Sequence, residues 1–222
     1  MKRFLVAATF VALGLGVLTA QETQHQQHTN PDPDKMVAGG ALPAGWSVRL
    51  DSGSLKPEGV KVMQMGSGIH FMSGPAGIYY RAADKASGKY SVTASFAQMA
   101  AAAHPEAYGL IIGGSDLEGP NQKYTYFLIR QDGRYLIKKR AGTETPTITN
   151  WTENAAVKKI DGAGKATNAL TVNVAADKVH FLVNGTEVGS APLDQVDTNG
   201  IAGLRVNHNL NVHIEGFSVK QQ

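Results

Sequence analysis

Two stretches near the C-terminus alternate apolar and polar residues over most of their length. They are residues 168–183 (NALTVNVAADKVHFLV) and 200–219 (GIAGLRVNHNLNVHIEGFSV), each with turn residues near its middle. Because successive side chains of a strand point to opposite faces of a sheet, this pattern predicts half-buried antiparallel strands. The pair Asn184-Gly185 adds the signal of a tight type I′ hairpin, and Gln131-Asp132-Gly133 marks a second hairpin.

Similar short runs follow one another through the rest of the chain. Besides the C-terminal set, strands are predicted at 46–50, 60–65, 77–81, 90–97, 107–113, 124–130 and 135–140. After residue 20, only Gln98–His104 has the composition of a helix, and Pro105 would end it within two turns. The sequence therefore predicts an all-β fold, an antiparallel two-sheet sandwich, because two packed sheets bury the apolar faces of many short strands.

The N-terminal 41 residues are predicted to lie outside this sandwich. Residues 1–20 begin with Lys2 and Arg3, continue through an apolar run and end in Ala20, as a secretory signal peptide does. Residues 21–41 form a predicted flexible leader, since 21–35 contain no apolar residue. Residues 42–222 are the expected sandwich domain. The predicted location is the bacterial periplasm or the exterior, where a chain without cysteine must be stabilised by packing alone.

Charge excludes one class of partner. The formal net charge is +3, and cleavage of the signal peptide would remove Lys2 and Arg3 and leave +1. No basic stripe follows any predicted strand, so nucleic acid is not an expected partner. The apolar run of the signal peptide is shorter than a spanning helix, so no membrane span is expected after cleavage. The sequence does not indicate an oligomeric state.

Seven segments in fixed order carry a resemblance to a known superfamily. They are WSVRLD (46–51), GPAGIYYR (74–81), GKYSVTASF (88–96), YGLIIGGSD (108–116), YTYFLIRQDGRYLIKKRAG (124–142) and the two C-terminal stretches, here 168–185 and 200–219. This order is similar to concanavalin A-like jelly rolls over residues 46–219. Within that superfamily the chain most resembles laminin-G-type domains and the bacterial 3-keto-disaccharide hydrolase, or family-16-like glycoside hydrolase, domain. The resemblance implies a jelly roll concerned with carbohydrate, although this architecture also hosts structural modules.

The chain departs from the catalytic members of that superfamily. Laminarinase-type relatives carry Glu-x-Asp-x-x-Glu on one strand, which places two carboxylates for retaining hydrolysis, and this sequence has no such motif. We therefore expect a binding domain and assign no catalytic residue. If the protein is instead a glycoside hydrolase-like enzyme acting on a keto-disaccharide, the candidates are Glu106, Asp116, Glu118 and His208.

Five polar residues are predicted to share one face of the sandwich. Alternation places Arg130 on one strand, Lys138 and Arg140 on its hairpin partner, and Arg205 and Asn207 on a later strand. Such a surface would suit hydroxyl-rich or carboxylated glycans, because Arg offers a planar fork of donors. The alternative interpretation is an ordinary solvated sheet face.

Tyr79, Tyr80 and Arg81 form a second candidate, a platform on which a sugar ring could stack. Alternation lets only one of the two tyrosines point outward. We include Tyr79 and Arg81 among the predicted ligand-binding residues. Burial of the aromatic rings in the core is the alternative.

Metal sites are not expected. His25 and His28 lie in the polar leader, and His213 shares a strand face with Glu215, but neither pair has further ligands at a suitable spacing. Asp194, Asp197 and Asn199 precede Gly200. This spacing is more typical of a turn than of a calcium site. No cofactor is predicted, with calcium as the one alternative.

The leading hypothesis from the sequence is an exported carbohydrate-recognition or carbohydrate-processing-associated domain. The alternatives are the enzyme described above and a non-catalytic envelope interaction module.

Overall fold

The computed structural model describes residues 39–222 except Ser54 and Ser73. The predicted signal peptide and nearly all of the predicted leader lie outside the described residues. Within the described part of the chain, no helix is long and apolar enough to cross a membrane.

In the described residues, fourteen strands make up almost all of the regular structure. They are β1 Ser47–Leu50, β2 Val62–Met65, β3 Gly68–Met72, β4 Gly77–Ala86, β5 Tyr90–Gln98, β6 Ala107–Ser115, β7 Lys123–Arg130, β8 Arg134–Ala141, β9 Thr147–Glu153, β10 Ala166–Val174, β11 Lys178–Val183, β12 Thr186–Pro192, β13 Gly200–Val206 and β14 Asn211–Gln221. Two short 3-10 turns lie at Pro57–Gly59 and Leu193–Gln195. The predicted all-β class is confirmed.

The strands form two antiparallel sheets of seven. The first sheet has the order β1-β4-β13-β6-β7-β8-β9, and the second has the order β12-β11-β10-β5-β14-β3-β2. Half of the neighbouring strands are not joined by a hairpin and lie far apart in the sequence, for example β4 with β13 and β5 with β14. The topology is therefore that of a jelly roll rather than a meander. The sandwich is open, because β1, β9, β12 and β2 remain as edges.

The core lies between the sheets and is built from the alternate residues of each strand. Aromatic contacts join the two layers along their width: Phe71 meets Tyr79 with ring centroids 4.6 Å apart, and Phe96 stacks on Tyr108 at 5.4 Å. Phe181, which is fully buried, meets Phe127 at 5.3 Å. These contacts pair β3 with β4, β5 with β6, and β11 with β7, so the two sheets lie one over the other in the same order.

The sequence-based strand boundaries are mostly right, with three corrections. Strands β3 and β9 were not predicted, and Gln98–His104 is not a helix. Strand β5 continues to Gln98, which pairs with Ala166 and Val212. The buried side-chain nitrogen of Gln98 donates to the carbonyl oxygen of Ala100 and to Gln131 Oε1, both at 2.9 Å. The strand pairing and the long-range bond to Gln131 override the local helical preference.

Alternation along the predicted strands places six residues where they can face inward together: Trp46, Phe96, Leu110, Ile112, Phe181 and Phe217. Phe96, Leu110, Ile112 and Phe181 are buried as predicted. Trp46 and Phe217 are only partly buried against the core. The pairing of β14 with β5 shifts register between Glu215 and Ser218, and this bulge moves Phe217 towards the edge of the sandwich.

Candidate functional site

The five predicted polar residues lie on the outer face of the first sheet, the face turned away from the core. The inward positions of their strands are filled by buried residues such as Phe127, Ile137 and Leu204, and the polar residues occupy the opposite parity. Cross-strand pairs continue the surface from β13 to β8. We call this surface, defined by Arg130, Lys138, Arg140, Arg205 and Asn207, the cationic face.

Two tyrosines form the floor of the cationic face. Tyr124 lies opposite Arg140, and Tyr126 lies opposite Lys138. Their ring centroids are 5.7 Å apart, and both side chains are buried although they point away from the core. Burial raises the pKa of Tyr126 to about 12, with Arg205 acting in the opposite direction. The two rings therefore form a buried, neutral support beneath the cationic face.

Arg205 belongs to β13, at the side of the cationic face farthest from β8, and pairs with Asp51. Arg205 Nη1 and Nη2 donate to the two carboxylate oxygens of Asp51 at 2.9 and 2.5 Å. The guanidinium carbon lies 5.5 Å from the centroid of the Tyr126 ring. The Arg205 side chain is only 12% exposed, whereas that of Asp51 is 44% exposed. Arg205 is therefore a fixed component of the surface rather than a free solvated head.

The charges around this pair set the protonation of both partners. Burial would raise the pKa of Asp51, but Arg205, with help from Arg140 and Arg49, lowers it below its usual range. Burial would likewise lower the pKa of Arg205, but Asp51 raises it. The pair stays ionised, and three arginines surround one carboxylate.

Arg130 is held at the end of the cationic face by two contacts. Its guanidinium carbon lies 4.4 Å from the centroid of the Trp151 ring. Its Nε donates to both carboxylate oxygens of Asp132, at 2.8 and 2.9 Å. Trp151 belongs to β9, which is not among the predicted strands. Arg130 thus presents a partly neutralised head beside an indole ring.

Lys138 and Arg140 differ from these arginines because neither is in an ion pair. Among the residues that the structure describes, no carboxylate lies within ion-pair distance of Lys138 or Arg140. The Nε of Arg140 is buried and has no hydrogen-bond partner within this part of the chain. These two heads give the cationic face its excess of positive charge.

The loop between β6 and β7 closes one side of the face. Arg49 Nη1 donates to the carbonyl oxygens of Leu117 and Gly119 at 2.8 and 2.7 Å. The Tyr80 hydroxyl donates to Glu118 Oε1 at 3.4 Å. Arg49 and Tyr80 were not predicted to belong to the face. Arg49 has the same strand parity as Asp51, and Tyr80 has the same strand parity as Ile78.

Tyr79 cannot form the predicted stacking platform, which is a correction, and Arg81 lies outside the cationic face. Tyr79 is 1% exposed and lies in the core against Phe71, so it cannot line a surface site. Its neighbour Tyr80 has the opposite orientation and is the tyrosine that faces outward. Arg81 has the same parity as Tyr79 and lies at the edge of the sandwich, where it pairs with Asp84 at 2.5 Å.

Asn207 lies with Glu106 and His208 at one end of the face. Asn207 Nδ2 donates to Glu106 Oε2 at 3.4 Å, and His208 Nε2 lies 2.8 Å from Glu106 Oε1. These contacts bring together Glu106 and His208, two of the four candidate residues of the alternative in which the protein is an enzyme. Asp116 instead stabilises its own loop by accepting a hydrogen bond from the Asn121 amide at 3.0 Å.

The candidate metal ligands have other partners. His213 lies 3.0 Å from Glu215, and Asp197 pairs with Lys139 at 3.3 Å. Asn199 Oδ1 accepts a hydrogen bond from the Gly88 amide at 3.3 Å. Within residues 39–222 as described, no group of three or more His, Asp or Glu side chains could hold a metal ion. His25 and His28 lie outside the described residues.

The sequence matches no protein-family model and no curated protein. The structure does match solved structures. A carbohydrate-binding module, CBM66 from Bacillus subtilis, has a TM-score of 0.57 and 13% identity, and the match covers 83% of this chain and 100% of that one. The protein has a jelly-roll fold. The expected jelly-roll sandwich is thereby confirmed.

Two further structures share this fold. A protein of unknown function with a galectin-like fold from Bacillus subtilis gives a TM-score of 0.54 at 13% identity, covering 79% of this chain and 89% of that chain. Alginate lyase A1-II′ gives 0.52 at 11% identity, covering 80% and 95%. At these identities the likeness establishes the fold alone.

Proposed function

We propose that the protein is an exported carbohydrate-binding domain that holds acidic glycans on the cationic face. The observation that carries this proposal is the pair of cations that form no ion pair among the described residues, Lys138 and Arg140, which lie opposite Tyr126 and Tyr124 on the neighbouring strand. A uronate-containing oligosaccharide offers carboxylates for these cations, while the buried rings of Tyr124 and Tyr126 support the surface from beneath. Arg140 can bind a carboxylate through two parallel hydrogen bonds.

The remaining residues would fix the orientation of such a ligand. Arg205 is already held by Asp51, so it keeps one geometry and loses little conformational freedom on binding. Trp151, stacked under Arg130, extends the aromatic surface towards the next sugar ring. Asn207 contributes an amide whose oxygen is buried without a partner among the described residues.

The names of neighbouring structures support a glycan as the ligand. One is a carbohydrate-binding module, and another is an alginate lyase. Neither name identifies a ligand for this chain, so the acidic character of the glycan rests on the charges of the cationic face.

Binding to an oligogalacturonate and an oligomannuronate, measured by titration calorimetry at low ionic strength, tests the proposal. We expect both acidic oligosaccharides to bind, with an affinity that falls as salt is added because the contacts are ionic. Lys138→Gln with Arg140→Gln should weaken binding at least tenfold.

The matched control is Lys85→Gln with Lys178→Gln, which removes the same charge from residues outside the cationic face. This control should bind as the wild type does. If the control loses as much affinity as the test variant, only net charge matters and the site assignment is wrong. If the wild type binds neither acidic oligosaccharide, the proposal fails and an interaction module becomes the better hypothesis.

Export is the second part of the proposal and rests on residues 1–20 alone. Expression of the full chain in a bacterium, followed by fractionation and N-terminal sequencing, tests it. We expect the protein outside the cytoplasm with its first residue at Gln21. An uncleaved chain in the cytoplasm would contradict export.

A further inference from the structure

A groove lies between the two sheets at the edge where β1 and β2 end the sandwich. Its volume is about 410 Å³, within the range of small-ligand sites. Trp46 and Phe217 form its aromatic walls, and Arg81, Gln64 and Ser67 supply its polar groups. None of these residues belongs to the cationic face.

The aromatic walls are held at a fixed angle by direct contact. The ring centroids of Trp46 and Phe217 lie 5.5 Å apart with an interplanar angle of 56°. The guanidinium carbon of Arg81 lies 5.1 Å from the Trp46 centroid and 5.7 Å from the Phe217 centroid. Both rings are only partly buried, so each keeps a surface that is available to a ligand.

Arg81 is positioned and neutralised within this groove. Its Nε and Nη2 donate to the two carboxylate oxygens of Asp84 at 2.5 and 2.9 Å. These bonds leave Nη1 and the second proton of Nη2 as donors. The Arg81 side chain is 37% exposed, so those donors can reach a ligand.

We propose that this groove is a second binding site, which takes the terminal ring of an uncharged sugar. The pair of Arg81 with Asp84 has no net charge, so the groove has no excess of positive charge to attract an anion. Hydroxyl groups can accept from Arg81 and can bond to the amide of Gln64 and the hydroxyl of Ser67. The apolar face of a pyranose can lie on Trp46.

This inference does not depend on the proposed function. Ligand binding at the two sites can be measured separately, because each site contains one tryptophan. The sequence has two tryptophans, Trp46 in the groove and Trp151 beside Arg130 on the cationic face. Each site therefore contains its own fluorescent reporter. Trp151→Phe leaves only the groove reporter, and Trp46→Phe leaves only the reporter of the cationic face.

Fluorescence titration of the Trp151→Phe protein provides the test. The probes are the methyl glycosides of glucose, galactose and mannose in millimolar excess, with oligogalacturonate as the acidic probe. We expect at least one methyl glycoside to change the Trp46 emission saturably and to leave the Trp151 emission of the Trp46→Phe protein unchanged. Oligogalacturonate should leave the Trp46 emission unchanged. A response to oligogalacturonate alone, or no response of Trp46 to any methyl glycoside, overturns the inference.

Two variants in the Trp151→Phe background locate the site. Ser67→Phe fills the groove from an exposed turn, and Arg81→Ala removes the donors, so each should weaken methyl glycoside binding at least tenfold. Lys85→Ala, an exposed residue on the same strand as Arg81, should have no effect. Because Arg81→Ala also leaves the Asp84 carboxylate without its ion-pair partner, the fold of this variant should be checked by circular dichroism. If Arg81→Ala does not fold, Ser67→Phe alone decides the question. Unchanged binding by Ser67→Phe contradicts the assignment.

Discussion

Arg205 and Asp51 are 154 residues apart in the chain, yet the guanidinium of Arg205 donates to both carboxylate oxygens of Asp51. The bond ties the end of β1 to β13 across β4, the strand that lies between them. It also holds Arg205 above the ring of Tyr126. One ion pair therefore joins the edge of the first sheet to the cationic face.

Replacing Asp51 by Asn should lower the free energy of unfolding by about 1 to 2 kcal/mol, because a largely buried guanidinium would lose its charged partner. Arg205 lowers the pKa of Asp51 below its ordinary value of 3.8. The stabilisation is therefore complete above that ordinary value and is lost as the pH falls through the lower pKa of the folded protein. Urea unfolding of both proteins at neutral pH and at acid pH measures this.

The matched control for Asp51→Asn is Asp177→Asn, since Asp177 is exposed in a turn of the second sheet. It should change stability by less than about 0.5 kcal/mol. A difference between wild type and Asp51→Asn that stays constant into strong acid would contradict an ionised pair.

The same substitution should strengthen the binding of an acidic glycan if the proposed function is right. Without its carboxylate, the cationic face gains one unit of positive charge and Arg205 gains free donors. We expect oligogalacturonate to bind several-fold more tightly to Asp51→Asn than to the wild type, even though the variant is less stable. Calorimetry at low salt measures the change, and weaker binding would argue that Asp51 itself contacts the sugar.

Alkaline titration should reveal that the tyrosines are buried. All seven tyrosines have a raised pKa, with burial as the largest cause, and the pKa of Tyr108 and that of Tyr126 are each about 12. A group whose folded pKa is raised contributes stability below its ordinary pKa, here 10, and loses it as the pH rises through the folded value. Tyrosinate absorbance should therefore appear well above pH 10 and coincide with unfolding. Ionisation of the tyrosines near pH 10 while the protein is still folded would contradict this packing.

Phe181→Ala should cost about 3 to 5 kcal/mol, since the ring is fully buried against Phe127. The neighbouring Leu182→Ala should cost much less, because that residue lies on the opposite face of β11 and is partly exposed. Chemical denaturation compares the two. Equal losses would indicate that the two positions are equally buried and that the alternation of β11 is absent.

Asn184→Ala tests the β11–β12 hairpin. Asn184 and Gly185 have φ angles of 51° and 81°, the left-handed backbone of a type I′ turn. The Asn184 side chain also accepts from the Ala169 amide and donates to Asn168 Oδ1 and to the carbonyl oxygen of Ala156, at 2.8 to 2.9 Å. We expect a loss of about 2 kcal/mol from the turn and these bonds together. Asn184→Asp, which retains an acceptor, should lose less, and equal losses would mean that the bond to Ala169 is unimportant.

Strand parity could be predicted from the sequence, and it led to the cationic face. Alternation repeats every two residues, so Lys138 and Arg140 share a face whatever the strand packs against. The same rule required Tyr79 and Tyr80 to point in opposite directions. It could not decide which of them enters the core, because that depends on the sheet that covers β4.

The sequence by itself determined the all-β class, the two predicted hairpins and the order of most strands, since each depends on residues that are close together in the chain. Only the tertiary structure decided which strands are neighbours. It brought Asp51 to Arg205, placed Trp151 of the unpredicted β9 beneath Arg130, and opened the groove of Trp46, Arg81 and Phe217. These relationships arise from the packing of distant segments, and the local alternation of apolar and polar residues carries no information about that packing.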